Sequence, residues 1–164
     1  KAPWFEQARA AGLRTALHAG ELCGPESVWQ AIDALGAERI GHGVRSVEDP
    51  ALLATLKQRG IALEVCPTSN VCLGVCKGYA GHALPALLVA GVPLSINSDD
   101  PPLSGTTLSD ELLLLHTAFG LDIETIDELV LNAVRHSFLP HSDGVSLDQV
   151  SSELASLRAV HLTR

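Results

Sequence analysis

Four short clusters carry side chains suited to hydrolytic chemistry: His18-Ala19-Gly20-Glu21, Gly41-His42-Gly43, Cys66-Pro67-Thr68-Ser69-Asn70 and Asn97-Ser98-Asp99-Asp100-Pro101. Neutral imidazole and carboxylate are the usual ligands of a catalytic Zn²⁺, and a carboxylate outside the coordination shell can move protons for the reaction. Glycines flank His42 and precede Glu21, and their small size lets backbone come close to a ligand. Each group also has a structural reading. A lone histidine at a strand end is often only hydrogen-bonded, and Asp-Asp-Pro alone is a turn leading into a helix cap. His18, Glu21, His42, Asp99 and Asp100 taken together argue for one shared site.

Sharing a site requires elements that bring these clusters to one face. Short β-rich runs at 14–18, 39–42, 61–66 and 92–97 alternate with helical stretches. A helix over 4–11 stops at Gly12. Pro25 opens the next, with Val28, Ile32 and Leu35 on one face and Gly36 at its close. Asp49-Pro50 starts a third that ends at Gly60, and a fourth covers 83–90. Further helices are predicted over 108–119, 123–135 and 147–162, with no linker between them. The strand-end residues His18, His42 and Cys66 fall 24 apart each time. A leucine-rich repeat has a similar period, but its leucine and asparagine template is absent, so parallel βα crossover units account for the pattern better.

Parallel α/β folds place chemistry at the carboxyl ends of strands. Two frames suit four βα units: an open doubly wound sheet, or four of the eight units of a (β/α)8 TIM-type barrel. No glycine-rich phosphate loop follows any strand, which weakens the first.

Composition narrows the partners. The chain has 164 residues, 46% hydrophobic and 18% charged, with a formal charge of −8. Its 11 Lys and Arg form no run, which argues against nucleic acid and anionic membrane surfaces and for a small-molecule ligand. The most apolar region, 83–96, is broken by Pro85, Gly91 and Pro93 and does not span a bilayer. Cys23, Cys66, Cys72 and Cys76 form no CxxC pair, so they read as reduced thiols of a cytoplasmic protein rather than as a metal knuckle. His82, His116, His136, His141 and His161 lie on predicted helices or loops away from the strand ends and read as structural or solvated. The Leu112–Leu115 run reads as a buried helix face.

The four clusters, in order and spacing, resemble the second half of the adenosine and adenine deaminase family. The matching stretches are His18-Ala-Gly-Glu21, Arg39-Ile-Gly-His42-Gly, Leu63-Glu-Val-Cys-Pro-Thr-Ser-Asn70 and Ser95-Ile-Asn-Ser-Asp99-Asp100-Pro. Asn132-Ala-Val-Arg-His-Ser-Phe-Leu139 is similar to that family's C-terminal helix. The resemblance implies a zinc-dependent barrel hydrolase that replaces a purine 6-amino group with oxygen and releases ammonia. It implies His18 and Asp99 as zinc ligands from the fifth and eighth strands, and Glu21 as the acid that protonates purine N1. His42 corresponds to the histidine that orients and helps deprotonate the attacking water, and Asp100 to the carboxyl that bonds N7.

The family also uses a His-x-His pair from its first strand and a glycine after its fourth, and this sequence contains neither. Four parallel strands cannot close a barrel. The sequence has no Met and opens Lys1-Ala2-Pro3-Trp4. Residues 1–164 are therefore expected to be the C-terminal half of a longer deaminase barrel, strands five to eight plus the C-terminal helices, inactive alone. The expected partner is the N-terminal half-barrel, or another copy through the open strand edges. Adenosine is the leading substrate, with free adenine or a ribose-modified adenine nucleoside second. A non-catalytic half-barrel and another metal-dependent amidohydrolase are the alternatives.

Overall fold

Proline at helix starts and glycine at helix ends divide the chain into repeating units. The structure, a computed structural model, describes residues 2–139 and 146–161. Helix α1 (Ala2–Ala10) leads to β1 (Ala16–Ala19), then α2 (Pro25–Trp29), which continues as a wider turn over Gln30–Ala34. Strand β2 (Arg39–His42) is followed by a 3-10 turn (Val44–Glu48), α3 (Pro50–Arg59) and β3 (Ala62–Val65). Then come α4 (Pro67–Cys72), a second 3-10 turn (Tyr79–Gly81), α5 (Leu84–Ala90) and β4 (Leu94–Ile96). Helices α6 (Pro101–Ser104), α7 (Leu108–Thr117), α8 (Ile123–Arg135) and α9 (Leu147–His161) complete the described residues.

Helix α3 shows how the sequence sets these limits. The Asp49 carboxylate accepts from the amides of Ala51 and Leu52, satisfying donors that the first turn leaves free. Pro50 follows with a backbone already suited to a helix, and Gly60 ends it at φ 65°.

The four strands form one parallel sheet in the order β1-β2-β3-β4. Register pairs His18 with Gly41, Gly41 with Glu64 and Glu64 with Ser95. Because side chains alternate along a strand, this row shares one face, and the row Leu17, Ile40, Leu63, Leu94 faces the other way. Ile40, Leu63 and Leu94 are buried there against Leu52, Leu56, Leu84, Leu87 and Leu115. Each such side chain contributes about 1.5–3 kcal/mol of burial. The helices therefore cover one face of the sheet, and the other carries the polar row. This is the architecture of four βα units of a (β/α)8 barrel.

Pairing reaches beyond the strand limits. The Leu63 amide donates to the Pro93 carbonyl at 2.9 Å, and the Asn97 amide to Val65 at 2.9 Å, so the expected span 92–97 is paired near both ends. The first strand begins later than expected, at Ala16, although the Thr15 carbonyl still accepts from the Glu38 and Arg39 amides at 2.9 and 3.3 Å, and side chains reinforce this entrance. Glu38 accepts from the Arg14 guanidinium and the Thr15 amide, and the Thr15 hydroxyl donates to Gly36. Below the sheet, the Phe138 ring lies between the guanidinium groups of Arg14 and Arg39, at 4.2 and 4.0 Å.

The structure adds one helix to the sequence reading and corrects one expectation. The segment after β3 is a helix, α4, because Pro67 occupies its first position, where the missing N–H costs nothing. The Leu112–Leu115 run is not a buried face: Leu115 is fully buried, but Leu113 is 61% exposed, since consecutive helix positions point in different directions. The last helix is described to His161, and His141 and Leu162 lie outside the described residues.

Candidate active site

All five candidate residues sit at carboxyl ends of strands or just beyond, on the rim of the helix-free face. His18 ends the polar row of β1, and Gly41 opposite it has no side chain. A Cβ at position 41 would lie 3.1 Å from the His18 ring, so glycine there gives the imidazole its place. His42 and Asp99 are the non-glycine residues with left-handed backbone among those described, φ 61° and 57°. That conformation costs about 1–2 kcal/mol for an L-residue, and both residues belong to the same group of side chains. One donor atom from each of His18, His42 and Asp99 lies within 4.8 Å of the others. A cavity of about 310 Å³ opens beside them, also lined by Gly41, Glu64, Cys66, Asn97, Ser98 and Leu108.

Glu21 stands next to this group. Its Oε1 is buried without a hydrogen-bond partner and lies 3.5 Å from His42 Nδ1. A buried carboxyl oxygen left unpaired is costly unless a ligand uses it. Asp99 Oδ2 accepts a 2.6 Å hydrogen bond from the Ser69 hydroxyl and lies 3.9 Å from His42 Nε2. Asp100 is exposed, and its Oδ1 accepts from the Leu103 amide as the cap of α6.

Helix α4 supplies what the sequence reading missed. Asn70, fully buried, directs its Nδ2 to His42 Nδ1 at 3.2 Å, and its Oδ1 meets His82 Nε2 at 3.1 Å. His82 Nδ1 accepts from the Leu84 amide at 3.0 Å. His82, expected to be remote from the strand ends, is therefore one residue removed from His42. The buried Glu111 anchors α4, accepting from the Thr68 amide and the Thr106 hydroxyl. Asn70 was visible inside a quoted motif, but nothing in sequence spacing links it to His82.

Burial sets the electrostatics. It lowers the His42 pKa against the opposing pull of the Glu21 and Asp99 carboxylates, and lowers that of His82 to about 4. Burial, with the nearby carboxylates, pushes the Cys66 thiol up, away from the thiolate form that a nucleophile needs. The four cysteines are unpaired. His116 and His136 bond backbone carbonyls of Leu121 and Asn132, the structural roles expected of them.

Compared with known proteins, residues 2–152 match the family described as Adenosine deaminase. The chain belongs to the adenosine deaminase family. It is 44% identical over 160 residues to the aminodeoxyfutalosine deaminase of Streptomyces coelicolor, covering 98% of this chain and 41% of that protein. With an adenosine deaminase of Klebsiella pneumoniae it shares 45% over 145 residues, 88% of this chain and 44% of the relative. The crystal structure of adenine deaminase from Arthrobacter aurescens superposes with a TM-score of 0.90 at 31% identity, over 97% of this chain and 48% of that one. An amidohydrolase from Burkholderia ambifaria, solved with bound Zn, superposes at 0.80 with 28% identity, over 94% and 46%. The chain thus spans about half the length of the relatives it matches.

Amidohydrolase-type deaminases depend on a metal, and the donor set here fits one. The His18 imidazole and the Asp99 carboxylate converge with the His42 ring beside them, a chemistry suited to a divalent cation of zinc's borderline character. Among the described residues no helix is long and apolar enough to cross a membrane.

Proposed function

We propose that this chain is the C-terminal half-barrel of a zinc-dependent purine deaminase. The whole protein would convert the 6-amino group of adenosine to a carbonyl oxygen, giving inosine and ammonia. The observation that carries this reading is the unpaired, buried Glu21 oxygen beside the His18, His42 and Asp99 group. A proton donor next to a metal-type donor set is what attack of water on a protonated ring requires.

His18 and Asp99 are the residues of this chain that would hold the metal, with further ligands from the N-terminal half-barrel. When bound, the cation would lower the pKa of water and stabilise developing negative charge. Glu21, in its protonated form, donates to purine N1, which draws electrons from C6. His42 orients the water on the face of C6 by a hydrogen bond. Asp100 hydrogen-bonds N7, an acceptor, so the bond requires the protonated carboxyl. Water adds at C6 as a hydroxyl, the proton it gives up passes to the amino nitrogen, the C6–N bond breaks to release ammonia, and the C6 hydroxyl proton returns to Glu21 as the carbonyl forms.

A ribose-modified adenine nucleoside is the second reading, favoured by the Streptomyces coelicolor relative that aligns over 98% of the chain. Free adenine is a variant of the same chemistry. The groups described here address the base, and loops of the other half-barrel would address the sugar. Unpaired cysteines support a reducing, cytoplasmic setting. The test is a substrate series with the full-length protein, stripped of metal and reloaded with Zn²⁺, following ammonia and the 6-oxo product. Turnover of an adenine nucleoside that returns only with metal supports the reading. No turnover of adenosine, adenine or any ribose-modified nucleoside by the loaded protein sinks it.

A further inference from the structure

The Leu84 amide can only donate, and that fixes every proton in the chain of contacts leading to His42. His82 Nδ1 accepts from Leu84 N–H at 3.0 Å, so in the neutral ring its proton is on Nε2. That proton goes to Asn70 Oδ1, 3.1 Å away. The amide orientation of Asn70 follows, with its Nδ2 as donor toward His42 Nδ1 at 3.2 Å. His42 Nδ1 must then accept, which leaves the proton of the neutral imidazole on Nε2. Asn70 is fully buried, and His42 and His82 are 1% and 6% exposed, so water does not compete for these bonds.

We infer that Asn70 and His82 are positioning residues that hold His42 in its Nε2–H form, with that N–H aimed to the side of Asp99. The inference rests on the deaminase reading only for the kinetic consequence, because the proton assignment stands on the hydrogen bonds themselves. In this form His42 has no free lone pair: Nδ1 is engaged by Asn70 and Nε2 carries hydrogen. His42 is thereby withheld from metal coordination, although its ring lies among the donor atoms, and His18 and Asp99 remain as this chain's ligands. Nε2 is 3.9 Å from Asp99 Oδ2, too far for a direct hydrogen bond, and is free to donate to an oxygen at the reacting centre. Glu21 Oε1, 3.5 Å from Nδ1, faces a nitrogen without a proton and is not drawn into an ion pair with it.

The test uses the full-length protein, ¹⁵N-labelled at histidine, with the His42 resonances assigned by loss in a His42→Gln variant. The expected spectrum shows a pyridine-like Nδ1 and a pyrrole-like Nε2 for His42. Asn70→Asp, whose carboxylate accepts from Nδ1–H, should invert that pattern or give the cation. His82→Leu should broaden it toward a tautomer mixture, and His82→Gln, which keeps a donor to Asn70, should restore it in part. The expected kinetic effect is about 10- to 100-fold on kcat, the usual cost of losing a supporting bond, with KM within about threefold and metal content unchanged. A pyrrole-like Nδ1 in the parent protein, or an unaltered His42 spectrum in both Asn70→Asp and His82→Leu, would overturn the inference. If the tautomer signatures appear but no purine is turned over, the inference stands and the deaminase reading fails.

Discussion

At the amino ends of the strands, Arg14 and Arg39 enclose the Phe138 ring, and Arg14 pairs with Glu38 at 2.7 Å. At the carboxyl ends, Glu21 Oε1 has no hydrogen-bond partner and two residues hold left-handed backbone. Both ends gather charged side chains on one sheet. The lower end spends its charges on one another and on an aromatic ring, which closes the fold where α8 returns beneath it. The upper end leaves the Glu21 oxygen uncommitted, at a cost in desolvation that a ligand would offset. Substitutions above the sheet should cost function with little stability, and those below should do the reverse.

The largest effect that separates the two ends is on metal affinity. His18→Ala in the full-length protein should weaken binding by well over the ~100-fold that loss of a supporting hydrogen bond costs, with the thermal midpoint of the metal-free protein nearly unchanged. Competition with a chromophoric chelator reads the first and calorimetry the second.

Next is an acid limb of stability. His82 has an ordinary value of 6.5 and a folded value of about 4. A depressed folded value means that the unfolded state takes up the proton first. The stability is fully present above pH 6.5 and is lost as pH falls toward 4, by roughly 3 kcal/mol. Urea midpoints for the parent and His82→Gln across that window should converge; parallel curves would assign the loss elsewhere.

Below the sheet, Phe138→Ala should cost about 2 kcal/mol, for partial burial and two cation contacts, and leave kcat unaltered. A fall in kcat without loss of stability would reverse the comparison. The smallest effect belongs to Arg14→Met. Its partner Glu38 is held below the ordinary carboxylate range, first by the Arg14 hydrogen bond, so the pair stabilises at neutral pH and its contribution fades as acid protonates Glu38. Both groups are substantially exposed, which limits the change to about 0.5 kcal/mol. It should vanish in high salt and below the folded Glu38 value.

Sequence spacing made much of the upper end legible. Strands that end at or close to His18, His42 and Asp99, and helices bounded by Asp49-Pro50 and Gly60, follow from local rules that act within a few residues. Asn70 and His82 were not legible as partners, because a side-chain contact across a helix and a 3-10 turn leaves no periodic trace. Glu111 is the same case: a carboxylate in a helix's first turn reads as a dipole complement, yet it is fully buried under α4. The first strand's limit differed at Arg14 and Thr15, where side-chain bonds to Glu38 and Gly36 accompany the backbone pairing of Thr15.

The most direct measurement on the central claim is Glu21→Gln in the full-length protein, with bound zinc and adenosine turnover determined on the same sample. Zinc content should stay at the parental level and turnover should fall about 10³-fold, since the amide keeps the shape and loses the transferable proton. Turnover at the parental rate with zinc in place would contradict it.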